Sequence, residues 1–325
     1  MTKIIHQMID ANGMHFRVAE QGQGPLVLLC HGFPETSHAW RYQLPALAAA
    51  GYRAVAPDMR GYGGSSCPEQ VDAYTLLNVV GDLVALVGRL GEQQAVVVGN
   101  DWGSTIAWQA ARLRPDRFRA VVALGVPMMG RAPMPPSQLF PKSEKAWFYI
   151  HYFAQEGIAE RELDADVATS LRRILFAASA DAGTRRDPHT PNPFGMLPRD
   201  RGLLETLPEP SEFPHWLHSG DLDVFVQAYK ESGFRGGLNY YRNLDRNWAD
   251  DAAFEGRRVE VPALYLVGEH DTGLSMPGMS EIIGAMPLMA PKLVGSHKVA
   301  GAGHWLQQEA APVVNAELVK FLSSL

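Results

Sequence analysis

Only two of the 325 residues are cysteine, Cys30 and Cys67, and no Cys/His spacing of a zinc site surrounds them. A disulfide framework is excluded, and two free thiols in a reducing, cytoplasmic setting are expected. Basic residues are also scarce: 29 Lys and Arg stand against 35 Asp and Glu, for a net charge of −6, with no block of like sign. Nucleic acid and anionic lipid surfaces are therefore not expected as partners. No apolar run approaches the ~20 residues that cross a bilayer, the longest being strand-length segments such as Pro25 to Cys30, so no membrane insertion is expected. Met1 to Asp10 carries one lysine and no apolar centre, so a secretory signal is not expected either. P-loop, dinucleotide and metal fingerprints are missing, and no cofactor is expected.

The composition that remains, 46% hydrophobic and 20% charged, is that of a packed globular protein long enough for one large α/β domain with an inserted lobe. Leu26 to Cys30, Tyr52 to Ala56, Ala95 to Val98 and Ala120 to Leu124 are short apolar runs of the kind that form parallel strands covered on both faces. Between them Leu76, Val79, Val80, Leu83, Val87 and Leu90 recur at helical spacing, and Ser104 to Arg114 does the same through Ile106, Ala110 and Leu113. The alternation predicts a doubly wound, mostly parallel sheet, whose ligands gather outside the carboxyl ends of the strands. It breaks after Pro127 and gives way to a proline- and aromatic-rich stretch with helical patterning. Strand-like runs return at Pro262 to Gly268 and near Lys298 to Gly301, before a last amphipathic helix through Val314, Leu318, Phe321 and Leu322. The expected organisation is an α/β core, 1–127 and 257–325, interrupted by a helical cap, 128–256.

The turns after the strands carry the chemistry. Ala95 to Val98 runs into Gly99-Asn100-Asp101-Trp102-Gly103 and then at once into a helix, the setting of a nucleophile elbow with Asp101 at its apex. An aspartate there also suits a helix N-cap, so other segments decide. His31-Gly32-Phe33-Pro34 follows the first run and offers the Phe33 N–H, which with that of Trp102 can form an oxyanion hole. Asp271 follows the run Ala263 to Val267, and His304 follows the next. Nucleophile, acid and base thus occur in the chain order of this kind of triad. Glu269 competes with Asp271 for the acid and is passed over; His31 is assigned to the oxyanion turn and His270 to a bystander's place.

These segments, with the loop Pro57-Asp58-Met59-Arg60-Gly61-Tyr62-Gly63 and Gly303-His304-Trp305, resemble the soluble epoxide hydrolases of the α/β-hydrolase superfamily over nearly the whole chain. In the inserted stretch, Tyr152-Phe153 ahead of Gly157, and Phe234 to Asn243, resemble the two family segments that each supply a lid tyrosine. The resemblance implies an α/β-hydrolase fold and Tyr152 and Tyr241 as the pair that binds and protonates the epoxide oxygen. From the residues alone, Tyr149 cannot be told from Tyr152, nor Tyr240 from Tyr241. One departure stands beside the nucleophile, where many relatives have histidine and this chain has Asn100. That side chain is expected to point away from the attacked carbon and to matter for packing.

The implied reaction opens a small apolar epoxide through an ester on Asp101, which water activated by His304 and Asp271 then hydrolyses, in a monomer or homodimer. A haloalkane or haloacid dehalogenase of the same fold is an alternative, disfavoured by Phe33 and by the tyrosines. A non-catalytic ligand receptor is another, disfavoured by the complete set of base, acid and oxyanion turn.

Overall fold

A computed structural model describes residues 3–184 and 190–325. Eight strands, β1 (Ile5–Ala11), β2 (Met14–Gln21), β3 (Leu26–Cys30), β4 (Arg53–Pro57), β5 (Ala95–Asn100), β6 (Phe118–Leu124), β9 (Ala263–Gly268) and β10 (Leu293–Val299), form one sheet in the order β1-β2-β4-β3-β5-β6-β9-β10. The pairs β1–β2 and β2–β4 are antiparallel and the rest parallel. Two short strands, β7 (Ala146–Phe148) and β8 (Met196–Pro198), pair separately as an antiparallel ribbon.

Helices cover both faces of the large sheet. On β5, Val97 packs into a cluster with Val79 and Leu83 of α2 (Leu76–Arg89) and Ile106 of α3 (Trp102–Leu113). Its neighbours Val96 and Val98 point the other way, onto Leu44 and Leu47 of α1 (Gln43–Ala49) and Val314 and Leu318 of α13 (Ala311–Leu322). A strand buried on both faces has no polar side to show, which is why these runs read as continuous apolar segments.

The chain leaves the sheet after β6 and returns at β9, which pairs with β6. Between them lie α4 (Pro136–Leu139), α5 (Tyr149–Phe153), α6 (Ile158–Leu163), α7 (Val167–Ala178), α8 (Ser219–Ser232), α9 (Arg235–Arg242) and α10 (Leu244–Asp250). After β9 come α11 (Met279–Met289) and, beyond β10, α12 (Leu306–Glu309). The inserted stretch is mostly helical, with the β7–β8 ribbon as an addition that the helical patterning did not foretell. The strand expected near Lys298 to Gly301 is Leu293–Val299 instead, and Gly301, at φ 68°, belongs to the turn after it.

Strand order positions the site. From β3 the chain steps outward to β4, then crosses back to place β5 on the other side of β3. The carboxyl ends of β3 and β5 therefore diverge into a crevice at a topological switch point, and Phe33 and Asp101 stand just beyond those two ends. No helix among the described residues is long and apolar enough to cross a membrane.

Candidate active site

Asp101 sits at the turn between β5 and α3 with φ 55° and ψ −123°, a backbone conformation that L-residues rarely adopt. Close packing holds it there. A Cβ on Gly99 would run into the carbonyl of Gly103, and one on Gly103 would run into the carbonyl of Cys30. The glycines on either side of the elbow are required by backbone approach. Ser104 Oγ pins the turn from behind, donating to Gly99 O at 2.8 Å or to Leu124 O at 2.6 Å.

The two oxygens of Asp101 have different surroundings. Oδ1 accepts the Phe33 backbone N–H at 2.8 Å, and Gly32 leaves the room, since a Cβ there would collide with that same oxygen. Oδ2 lies 3.2 Å from His304 Nε2. Trp102, as the first residue of α3, has no intrahelical acceptor for its own N–H.

His304 is buried, and its Nδ1 stands 2.8 Å from Asp271 Oδ2. Asp271 does two jobs: Oδ1 accepts the Gly273 N–H at 2.7 Å and caps a short 3₁₀ turn, which leaves Oδ2 aimed at the imidazole. Burial alone would lower the proton affinity of His304, but the Asp271 and Asp101 carboxylates raise it well above the ordinary histidine range. With a carboxylate oxygen at each ring nitrogen, the imidazolium is the form that can donate to both. Glu269 turns outward and accepts the Gly301 N–H at 3.2 Å, so the acid that reaches the imidazole is Asp271. His31 is structural: Nδ1 meets Gly32 O at 2.9 Å, Nε2 accepts the Met59 N–H at 2.9 Å, and burial lowers its proton affinity.

The tyrosines divide differently from the sequence expectation. Tyr241 is buried against Phe33, Trp102, Phe153 and Tyr149, with ring centroids 5.7, 5.2, 4.9 and 5.8 Å away. Tyr240 beside it points into the core and donates to Arg60 O at 2.9 Å. Tyr152, expected as the second member of the pair, is not brought to the site. Its hydroxyl donates to the carboxylate of Glu162 on α6, which also accepts the backbone N–H groups of Leu203 and Leu204 at 3.0 and 2.8 Å. Tyr149, three residues earlier on α5, takes the place facing Tyr241 and is half-buried. Burial and then the Asp101 charge raise the hydroxyl pKa of both Tyr149 and Tyr241, whereas for Tyr152 the charge acting after burial is that of Glu162. The physical reason for the correction lies in α5: it is five residues long, and its docking, which no periodicity records, decides which of two nearly aligned side chains looks inward.

Phe194 closes the side of His304, ring centroids 5.4 Å apart, and also touches Tyr149 at 5.4 Å. Beneath the triad lies a buried polar layer. Asn100 Nδ2 meets Leu124 O and His304 O at 3.3 and 3.2 Å, and Gln307 Nε2 approaches Asn100 Oδ1 at 3.3 Å and Glu35 Oε1 at 2.9 Å. The Asn100 side chain thus points away from the mouth and supports the elbow and the histidine turn. Burial, with the Asp101 charge adding to it, pushes the Glu35 carboxyl up to about 8. Neither Glu35 nor Phe194 carries a sequence signal that would have drawn attention to it.

Residues 25–311 match the family model described as alpha/beta hydrolase fold. Epoxide hydrolase A of Mycobacterium tuberculosis is 41% identical over 98% of this chain and 97% of its own length. Epoxide hydrolase 2 of Siraitia grosvenorii is 38% identical over 99% of each. Among solved structures, an epoxide hydrolase from an endophytic Streptomyces superposes with a TM-score of 0.93 at 42% identity, covering 98% of this chain and 95% of that one. Potato epoxide hydrolase I gives 0.89 at 34% identity over 99% and 100%.

Proposed function

The chain belongs to the epoxide hydrolases of the α/β-hydrolase superfamily, and from that premise we propose that it opens its substrate through a covalent ester on Asp101. One observation carries the reading: the two oxygens of that carboxylate are already assigned, Oδ1 to a backbone N–H and Oδ2 to the His304 imidazole. Displacement at an sp³ carbon by a serine would leave an ether that a triad cannot readily hydrolyse. A carboxylate leaves an ester, which it can.

In the first half-reaction Oδ2 attacks a ring carbon, and the C–O bond that breaks leaves its electron pair on the epoxide oxygen. An alkoxide is costly in a dry pocket, and the Tyr149 and Tyr241 hydroxyls, kept protonated by burial, hydrogen-bond it and supply a proton. Oδ1 becomes the ester carbonyl without leaving its donor. Esterification also removes one of the two charges that raise the proton affinity of His304, so the imidazolium gives up its proton, which restores the tyrosine that protonated the alkoxide, and the neutral imidazole serves as a base. It takes a proton from water, which attacks the ester carbon while Asp271 stabilises the imidazolium. Negative charge develops on Oδ1, against the N–H groups of Phe33 and Trp102. Collapse breaks the bond between the carboxyl carbon and Oδ2, the departing alkoxide takes a proton from the imidazolium, the regenerated carboxylic acid returns one to the imidazole, and the diol leaves with the original Oδ2.

The aromatic wall of Phe33, Trp102, Phe153, Phe194 and Tyr241 favours a small apolar epoxide. We also divide the chain into a core of 1–127 and 257–325 and a cap of 128–256, and the two free cysteines favour a cytoplasmic setting.

Single-turnover kinetics of the tyrosine variants test this reading. Tyr149→Phe and Tyr241→Phe should each slow ester formation, and the pair together should cost about 10²–10⁴ in rate, with ester hydrolysis less affected. Tyr152→Phe and Tyr240→Phe, whose hydroxyls are engaged by Glu162 and Arg60 O, should leave ring opening nearly intact and change mainly stability. Loss of ring opening in Tyr152→Phe, with Tyr149→Phe unaffected, would overturn the assignment.

A further inference from the structure

His304 follows Gly301-Ala302-Gly303, a turn with little side chain of its own to pack. Three attachments from elsewhere hold it. The His304 N–H donates to Ala178 O at 3.1 Å, and the Trp305 indole N–H donates to Leu175 O at 2.8 Å, both on α7 of the inserted stretch. The third is a carboxylate. Glu309 Oε2 accepts the Gly303 N–H at 2.8 Å and the Ala180 N–H at 2.9 Å, while Oε1 accepts the Trp305 N–H at 2.9 Å. The peptide N–H groups immediately before and after His304 thus end on one side chain, five residues further along, together with an N–H from the stretch after α7. Gly303 makes this approach possible, since a Cβ there would collide with Ala180 N and the Ser179 carbonyl carbon.

We propose that Glu309 is a positioning residue for ester hydrolysis, clamping the N–H groups of the residues on either side of His304 and tying the histidine turn to the cap. The inference rests on the reading of His304 as the base of the second half-reaction. Ring opening calls on Asp101, Tyr149 and Tyr241, and Glu309 makes no hydrogen bond to any of these. Water activation calls on the reach of the imidazole, which the backbone on either side of it sets. Burial, with Asp181 adding to it, pushes the Glu309 carboxyl up to about 7, while the three N–H donors pull the other way. Two oxygens that between them accept all three N–H groups accord with a clamp.

Glu309→Gln keeps the shape but turns one acceptor into an NH₂ that must face an N–H. Rates of ester formation and ester decay are measured separately in single turnovers with an aromatic epoxide, beside His304→Gln as reference. Ester decay should fall by about 10²-fold, the scale of an ångström of misplacement, with ester formation nearly unchanged and the ester accumulating in intact-protein mass spectra. Equal slowing of both rates, or an unchanged decay rate, overturns the proposal. If His304→Gln itself hydrolyses its ester normally, the underlying reading fails; if it is blocked while Glu309→Gln is not, only the clamp fails. Should Glu309→Gln not fold, Glu309→Asp, with the charge kept on a shorter stem, is read by the same two rates and the same criteria.

Discussion

Asp101→Ala should bind epoxide and turn over essentially none of it, a fall in kcat of about 10⁵ or more, as expected when the nucleophile of a covalent mechanism is removed. Among the described residues, the carboxylates nearest the site are held elsewhere. Asp271 lies behind the imidazole at 2.8 Å from Nδ1, and Glu35 is buried and bonded to Gln307 and Gln308. Asp101→Asn should be equally inactive, and it separates chemistry from folding: its amide oxygen can still accept the Phe33 N–H, and asparagine tolerates the positive φ of the elbow better than alanine does. Both variants should melt close to the parent. Residual turnover in a clean preparation of either would contradict the nucleophile.

His304→Gln should complete the first half-reaction and stall in the second. The ester then persists, and intact-protein mass spectrometry after mixing with substrate should show one substrate mass added per chain, mapping to the peptide that contains Asp101. Loss of the base should lower ester decay by about 10³-fold or more. Asp271→Asn should slow the same step, because the imidazole loses the oxygen that orients it and balances its charge. A variant that binds epoxide but stays unmodified would mean that His304 acts before the ester forms.

Much of this site was legible because its residues sit at strand ends, where the apolar run stops and a chemically loaded turn begins. Asp101, Phe33, Asp271 and His304 follow β5, β3, β9 and β10 in that manner, and the structure brings all four together. The Asn100 side chain, too, turns away from the Asp101 carboxylate toward Leu124 O and His304 O, as its place beside the apex implies. The first hairpin is not evident from apolar patterning, although Asn12 and Gly13, both at positive φ, form the two-residue turn that such hairpins favour. β1 is an edge strand with most residues exposed, so it lacks the apolar run by which the central strands are read. β10, at the opposite edge, was placed late for the same reason: Gly295 to Lys298 hide a strand that only its pairing with β9 defines. Tyr149 against Tyr152 is a failure of another kind. Both lie on one short helix, and the choice is made by Glu162, which captures the Tyr152 hydroxyl inside the inserted stretch. Spacing within α5 does not encode a partner ten residues further on, in α6. Glu309 is likewise silent in the sequence, since its role depends on Ala180 arriving from a different part of the chain.

The central claim is that the epoxide carbon is attacked by Asp101 and not by water. A single turnover in ¹⁸O-labelled water, with enzyme in excess over epoxide, tests it most directly. Water attacks the ester carbon, so the label should enter the Asp101 carboxylate, where peptide mass spectrometry can locate it, and the diol of the first turnover should be unlabelled. A first-turnover diol carrying ¹⁸O, with an unlabelled Asp101 peptide, would show that water opened the ring itself and would contradict the covalent route.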